Sequence, residues 1–172
     1  IRKGRESGNL HYACYSQRRD ISALSFHKFL QTAEKLDALN EWASVVGLSY
    51  IAAQRTFSFY TDMADAKAVL ESIARGFGYR YGKAKKVRVN TISQSPTPTT
   101  AGAGIGGFSD FFTFAEKMSP LGNATADECA NYIVSLFSDY TKMVTMQNLF
   151  HDGGYSMTGI SAEVLDMIGE QK

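Results

Sequence analysis

Apolar positions recur at helical spacing after Asp20: Ile21, Leu24, Phe29, Leu30, Ala33, Leu36 and Leu39 follow one another on a three- and four-residue repeat, with Ser25 on the same face. The pattern predicts a helix over 20–39, with the Asp20 carboxylate capping its first turn. The polar stretch before it, 1–19, with Gly4, Gly8 and Asn9, reads as loop. Val45 to Leu48 is a short apolar run of strand length between Trp42 and Ser49. Residues 50–61 have no clear period and read as a loop. Asp62 is placed to cap a second helix carrying Ala66, Val69, Leu70, Ile73 and Phe77 on one face, with its end among Gly76, Gly78 and Gly82.

Val87-Arg88-Val89-Asn90-Thr91-Ile92 is a second buried-strand pattern. It runs into Ser93 to Thr100, where Pro96 and Pro98 forbid regular structure. Four glycines fall within Ala101 to Gly107, so ordering that segment is costly in backbone entropy. The expectation is that Thr97 to Gly107 orders only around a ligand. A helix follows at 108–118. Thr125 and Glu128 have capping-box spacing and open a helix to about Phe137. Val144 to Phe150 reads as a third strand, closed by the turn Asp152-Gly153-Gly154, and Ser161 is placed to cap a short last helix.

Strands alternating with helices indicate an α/β fold with a parallel sheet covered on both faces. A complete doubly wound sheet has about six strands, and only three are legible here, none followed by a glycine-rich phosphate turn. The chain therefore reads as a single domain over 1–172, one half of such a fold.

Composition narrows the function classes. Eighteen basic residues face seventeen acidic ones, so nothing in the bulk charge favours nucleic acid or an anionic membrane. No apolar run reaches the ~18 residues of a membrane span. The start, Ile1-Arg2-Lys3-Gly4, has no signal-peptide pattern. Cys14 and Cys129 lie far apart, and His11, His27 and His151 sit in unrelated segments, so no metal site is expected. A reduced, cytoplasmic protein is the simplest expectation.

The candidate chemistry lies between the first strand and the second helix. Tyr50 stands just past a strand's C-terminal end, where open α/β sheets bind ligands. Tyr60 and Lys67 are seven residues apart, about two helical turns, so they share a face if both are helical. A lysine there favours a neighbouring phenolate and can hold a ligand's hydroxyls, and a tyrosine there can donate to a developing oxyanion. On spacing alone such a pair is more often surface decoration. Tyr79-Arg80-Tyr81-Gly82-Lys83 also contains a tyrosine and a lysine four apart, as in ordinary short-chain dehydrogenases. It sits where a helix ends, away from the C-terminal edge of the sheet, and reads as a decoy.

Context separates the two. Ser49-Tyr50, Ala53-Gln54-Arg55, Tyr60, Met63-Ala64, Lys67-Ala68 and Leu70-Glu71 together resemble the catalytic segment of bacterial NADH-dependent enoyl-acyl-carrier-protein reductases, with the tyrosines ten apart and the lysine seven beyond. Further matches follow in order: Val87 to Asn90, Ile92-Ser93, Pro96 and Thr99; Met118 to Gly122; Asp152 to Ser156; and, upstream, Asp20 to Ser22 with Ser25-Phe26. The resemblance covers nearly the whole chain and implies the catalytic C-terminal part of a Rossmann-like short-chain dehydrogenase fold, with the N-terminal nucleotide-binding strands absent from this sequence.

It also implies a mechanism and a set of roles. NADH gives hydride to the β-carbon of a trans-2-enoyl thioester, and charge moves to the thioester oxygen. Tyr60 donates to that oxygen, Lys67 holds the nicotinamide ribose, and Tyr50 lines the acyl site with Met63. Ser49 and the segment Thr97, Pro98, Thr99, Thr100 and Ala101 meet the cofactor. The substrate is carried by acyl carrier protein, and the assembly is a homotetramer. The loop departs from the family at Gln94-Ser95-Pro96-Thr97-Pro98, where many members have alanine-glycine before the proline and a bulky aliphatic after it. Two rival readings remain: a carbonyl-reducing dehydrogenase using the same tyrosine and lysine, against which the ten-residue tyrosine spacing argues, and an inactive half-domain serving assembly.

Overall fold

The computed structural model describes residues 12–57, 60–99 and 107–169. Its helices are α1 (Tyr12–Arg19), α2 (Ser25–Lys35), α3 (Thr61–Lys85), α4 (Phe108–Met118), α5 (Ala126–Phe137) and α6 (Ala162–Gly169). Its strands are β1 (Ser44–Ser49), β2 (Arg88–Gln94) and β3 (Asn148–His151). Among the described residues they form one sheet in the order β1-β2-β3. Both pairings are parallel, with Val45 opposite Val89 and Ile92 opposite Leu149. The expected parallel α/β sheet is therefore present. Among the described residues no helix is long and apolar enough to cross a membrane.

The central strand explains the hydrophobic pattern best. Six of the seven residues of β2 are buried, because helices cover both faces. On one face Val87 and Val89 pack with Val45, Leu30, Ala74, Phe77 and Tyr81, and Phe26, Leu39, Ala43 and Ile73 close the rim. The Tyr81 hydroxyl donates to the Leu30 carbonyl at 2.7 Å, which lets a phenol sit in this core. Two polar residues of β2 tie it to its neighbours. Arg88 Nη1 reaches the Leu136 carbonyl at 3.1 Å and the Thr141 carbonyl at 2.8 Å, tying the end of α5 to the sheet. Asn90 donates to the Val144 carbonyl at 2.8 Å and accepts from the Gln147 amide at 3.1 Å.

Several boundaries differ from the sequence reading. Residues 12–19 are helical, not loop, and α1 passes through a π-helical turn (Asp20–Leu24) straight into α2. Asp20 is therefore inside a continuous helix and caps nothing. The residue before it, Arg19, is itself helical at φ −62° and ψ −42°. An ion pair from Arg18 to Asp62, and the bond from Tyr15 Oη to Asp65 at 3.2 Å, hold α1 against α3. The helix also stops earlier than residue 39, with Asp37 left-handed at φ 50°.

Asp62 does not cap α3 either; Tyr60 is the N-cap residue, and no side chain bonds there. The helix continues through its three glycines to Lys85, and Lys86 ends it at φ 60°. Val144 to Gln147 lies outside β3, because Met146 adopts φ 63° and breaks the extended run. Asn90 spans that break with the two bonds just described. Elsewhere the local signals hold. Thr125 and Glu128 form the capping box, with Thr125 N donating to Glu128 Oε2 at 2.7 Å. Ser161 Oγ accepts from Val164 N at 3.2 Å.

The glycines of α3 differ in purpose. A Cβ at Gly78 would stand 2.7 Å from Met146 Cγ and 3.4 Å from the Val89 carbonyl, so this glycine lets helix and sheet approach. A Cβ at Gly76 would meet nothing within 4 Å. Gly76→Ala should raise stability by up to ~1 kcal/mol through helix propensity. Gly78→Ala gains the same propensity but overpacks, and should lower stability by about 1–2 kcal/mol net. Urea unfolding of the longest gene product containing this chain checks the opposite signs.

Candidate active site

Strand β1 ends at Ser49, and Tyr50 follows in extended backbone at φ −158° and ψ 150°. A tight 3-10 turn, Ile51–Ala53, reverses the chain there with both Ile51 and Ala52 buried. The Tyr50 carbonyl accepts from Ala53 N at 3.0 Å, and the Ile51 carbonyl accepts from Gln54 N at 2.9 Å and Arg55 N at 3.0 Å. The chain then returns to start α3. Tyr60 stands at its N-cap (φ −132°, ψ 37°), its carbonyl accepting from Ala64 N at 3.1 Å. Tyr60 is thus not helical, and the pair with Lys67 runs from the cap to the second turn.

The two tyrosines meet. Their rings lie edge to face with centroids 5.8 Å apart. Phe57 at 5.9 Å and Phe111 at 6.3 Å complete an aromatic wall around Tyr50, and Tyr155 stacks edge-on to Phe111 at 6.4 Å. Lys67 points back towards β1, its ammonium donating to the Leu48 carbonyl at 2.7 Å. Met63 is half-buried beside the π-helical turn, with its sulfur 3.8 Å from Ser22 Oγ. The structure so brings Tyr50, Tyr60, Lys67 and Met63 to the junction of β1 and α3. Tyr79 lies near the other end of α3 and is exposed, as is Lys83, which agrees with their reading as a decoy.

Burial raises the phenol pKa of Tyr50, and the nearby phenols of Tyr155 and Tyr60 raise it further. Burial also raises that of Tyr60, against an opposing pull from the Arg18 guanidinium. Both phenols are therefore protonated at neutral pH and available as donors. The sequence reading gave the phenolate-favouring role to Lys67; the cation acting on Tyr60 is Arg18. Desolvation lowers the Lys67 ammonium below the ordinary lysine value. Tyr50 Oη, Ser93 Oγ and Gln94 Oε1 are buried without hydrogen-bond partners among the described residues. All three belong to the C-terminal ends of β1 and β2.

Other expected cofactor residues are placed as follows. Ser49 is buried and its hydroxyl is already committed, donating to Glu71 Oε1 at 2.6 Å. Thr97 is half-buried, donates to the Ser95 carbonyl at 3.2 Å and hydrogen-bonds the Cys129 thiol. Pro98 and Thr99 are exposed just beyond β2. Thr100 and Ala101, and most of the glycine-rich segment, lie outside the described residues. Sequence reasoning assigned no role to Phe57, Phe111, Tyr155, Arg18 or Glu71. Glu71 carried a usable signal: a carboxylate on the apolar face of α3, between Leu70 and Ala74. The others reach the site only through tertiary packing.

Comparisons with known proteins bear on the family. A family model described as enoyl-(acyl carrier protein) reductase matches residues 4–156. The NADH-dependent enoyl-[acyl-carrier-protein] reductase FabI of Haemophilus influenzae is 35% identical over 147 residues, covering 85% of this chain and 55% of that protein. The Bacillus cereus FabI is 32% identical over 142 residues, covering 82% of this chain and 54% of that protein. The chain thus spans about half the length of the curated relatives it matches. Among solved structures, the FabI–NADH complex of Alistipes finegoldii superposes with a TM-score of 0.90 at 62% identity, covering 94% of this chain and 57% of that one. The Plasmodium berghei enoyl-acyl-carrier-protein reductase with triclosan has a TM-score of 0.80 at 29% identity, covering 86% of this chain and 52% of that one. Residues 4–156 make up most of the chain, and on that match the chain belongs to the enoyl-(acyl carrier protein) reductase family.

Proposed function

We propose that this chain forms the catalytic part of an NADH-dependent enoyl-acyl-carrier-protein reductase of type II fatty acid synthesis. The observation that carries the reading is the meeting of Tyr50 and Tyr60, both half-buried and protonated, with the desolvated ammonium of Lys67 at the C-terminal end of β1. That end of a parallel sheet is where α/β folds bind their ligands. The relatives' names supply the substrate class and the nucleotide.

The residues suit a nicotinamide nucleotide. Unpaired Ser93 and Gln94 groups close to the loop after β2 offer hydrogen bonds, and Lys67 offers a cation suited to ribose hydroxyls. Thr97, Pro98 and Thr99 are the loop side of the same cofactor site, to which the resemblance also assigns Thr100 and Ala101, outside the described residues. NADH, when bound, supplies the reducing equivalent for the substrate's β-carbon.

The chain's own residues do the rest. Tyr60 donates its phenolic proton in a hydrogen bond to the thioester oxygen, where negative charge gathers as the double bond is reduced. A donor already fixed and desolvated needs no reorganisation at that moment. Arg18, close enough to favour charge on Tyr60, strengthens the donor without ionising it. Lys67 orients the ribose and so the reacting carbon atoms. Tyr50, with Phe57, Phe111 and Tyr155, walls the acyl side and excludes water, and Met63 lines the entry beside it. The substrate is an enoyl chain borne by acyl carrier protein, the assembly is a homotetramer, and the compartment is the cytoplasm.

Two outcomes are expected from the longest gene product containing this chain. Tyr60→Phe removes one oxyanion donor and should lower kcat on an enoyl thioester by roughly 10²–10³-fold, with KM changed far less. Unchanged turnover would remove Tyr60 from the mechanism. The second concerns pH. A lysine held below its ordinary value of 10.5 loses its charge as pH rises, earlier than a solvated lysine. NADH affinity measured by fluorescence should therefore fall on the alkaline side below pH 10.5, and Lys67→Met should bind weakly with that dependence gone. An unaltered alkaline limb in Lys67→Met would show that another group titrates.

A further inference from the structure

Glu71 is only 4% exposed, on α3 between the buried Leu70 and Ala74. A carboxylate removed from water is costly unless charges or hydrogen bonds replace its hydration. No basic side chain among the described residues forms an ion pair with it. Lys67, one turn earlier on α3, gives its ammonium to the Leu48 carbonyl instead. Both Glu71 oxygens are taken by neutral donors: Ser49 Oγ at 2.6 Å and Gln54 Nε2 at 3.0 Å. A leucine would fill the same space without the desolvation cost.

The two donors have a particular placement. Ser49 is the residue before Tyr50, and Gln54 closes the 3-10 turn after it. One carboxylate therefore grips the chain on both sides of Tyr50 and fastens it to the helix bearing Lys67. The grip on Ser49 matters for direction as well as distance. Successive side chains along extended backbone point to opposite sides, so holding the Ser49 hydroxyl on α3 sets the rotation of the strand end and the side to which Tyr50 points. The grip on Gln54 removes the remaining hinge, because the turn between is already closed by its own backbone bonds.

We propose that Glu71 is a positioning residue of the reductase site, a two-point clamp that fixes Tyr50 against Tyr60 and relative to Lys67. The proposal rests on the reading of those three residues given above. Glu71 touches neither substrate nor cofactor, and acts through Ser49, Gln54 and Tyr50. Displacing a reacting group by about 1 Å can cost on the order of a hundredfold in rate, so a clamp of this kind has a measurable effect on turnover.

The test uses Glu71→Leu, Glu71→Gln and Gln54→Ala in the longest gene product containing this chain. Glutamine keeps both bonds if the Gln54 amide turns over, accepting from Ser49 and donating to Gln54. Gln54→Ala cuts one arm at an exposed position, and so serves where Glu71→Leu fails to fold. Two readouts are taken. Hydrogen exchange of the Ala53, Gln54 and Arg55 amides reports the clamp without reference to activity. Steady-state kinetics with an enoyl thioester and NADH reports its consequence.

Glu71→Leu should speed that exchange and lower kcat about tenfold or more, while KM for NADH stays within about twofold. Glu71→Gln should return both readouts to near the parent, and Gln54→Ala should give a smaller loss in the same direction. In a Tyr50→Phe background the kcat effect of Glu71→Leu should shrink, since the clamp acts through Tyr50. Unchanged exchange in Glu71→Leu or, if that variant does not fold, in Gln54→Ala overturns the clamp. A kcat loss that glutamine fails to restore, or one equal in the Tyr50→Phe background, overturns the positioning role. If the parent reduces no enoyl thioester, the proposed function falls instead, and exchange alone decides whether the clamp exists.

Discussion

Two parallel strands cannot be joined by a tight turn. The chain leaving β1 must cross the whole face of the sheet before β2 can begin, and α3 is that crossing. The consequence is geometric. The residues leaving β1 and those entering α3 are forced to the same edge of the sheet, the C-terminal one. Tyr50 leaves the strand, Tyr60 opens the helix, and Lys67 lies two turns into it with its ammonium on the Leu48 carbonyl of β1. Parallel pairing of Val45 with Val89 thus brings together residues that the chain separates by up to seventeen positions. The buried core of Leu30, Phe77, Tyr81, Val87 and Val89 holds that crossover in place from the opposite end of α3.

The electrostatics of the junction follow from its dryness. An aromatic wall removes water from Tyr50 and Tyr60, and burial keeps both phenols protonated. The same desolvation works against the Lys67 ammonium, which finds a backbone carbonyl for a partner. Arg18 comes from α1, beyond the β1–α3 unit, and its charge offsets part of the effect of burial on Tyr60. Its ion pair with Asp62, two residues past Tyr60, ties α1 to the first turn of α3. The continuous path of α1 and α2 therefore bears on the chemistry as well as on packing.

Much of this was legible in the residue pattern. The apolar runs at Val45 and Val87 identified β1 and β2, and the capping box at Thr125 identified the start of α5 without error. Tyr50, Tyr60 and Lys67 stood out through resemblance, and their placement at one sheet edge follows from the parallel reading. What failed did so for a common reason: a local signal was overridden by a distant contact. Gly76, Gly78 and Gly82 read as a helix end, but Gly78 is small because Met146 and the Val89 carbonyl press on it. Asp20 read as a cap, but residues 12–19 are held helical against α3. Glu71 had a visible anomaly, a charge on an apolar face, while its partners Ser49 and Gln54 became identifiable only once β1 lay beside α3. Phe111 and Tyr155 come from segments with no sequence link to Tyr50.

On the proposed function, this tyrosine–lysine junction serves reduction of a carbon–carbon double bond, not of a carbonyl. Isotope placement tests it most directly. The longest gene product containing this chain is incubated with NADH deuterated at the transferable position and a trans-2-enoyl thioester, and the product is read by mass spectrometry and NMR. The account predicts a saturated acyl thioester with the deuterium on its β-carbon. No reduction of the enoyl thioester, with a 3-oxoacyl thioester instead converted to an alcohol carrying deuterium on the former carbonyl carbon, would contradict it.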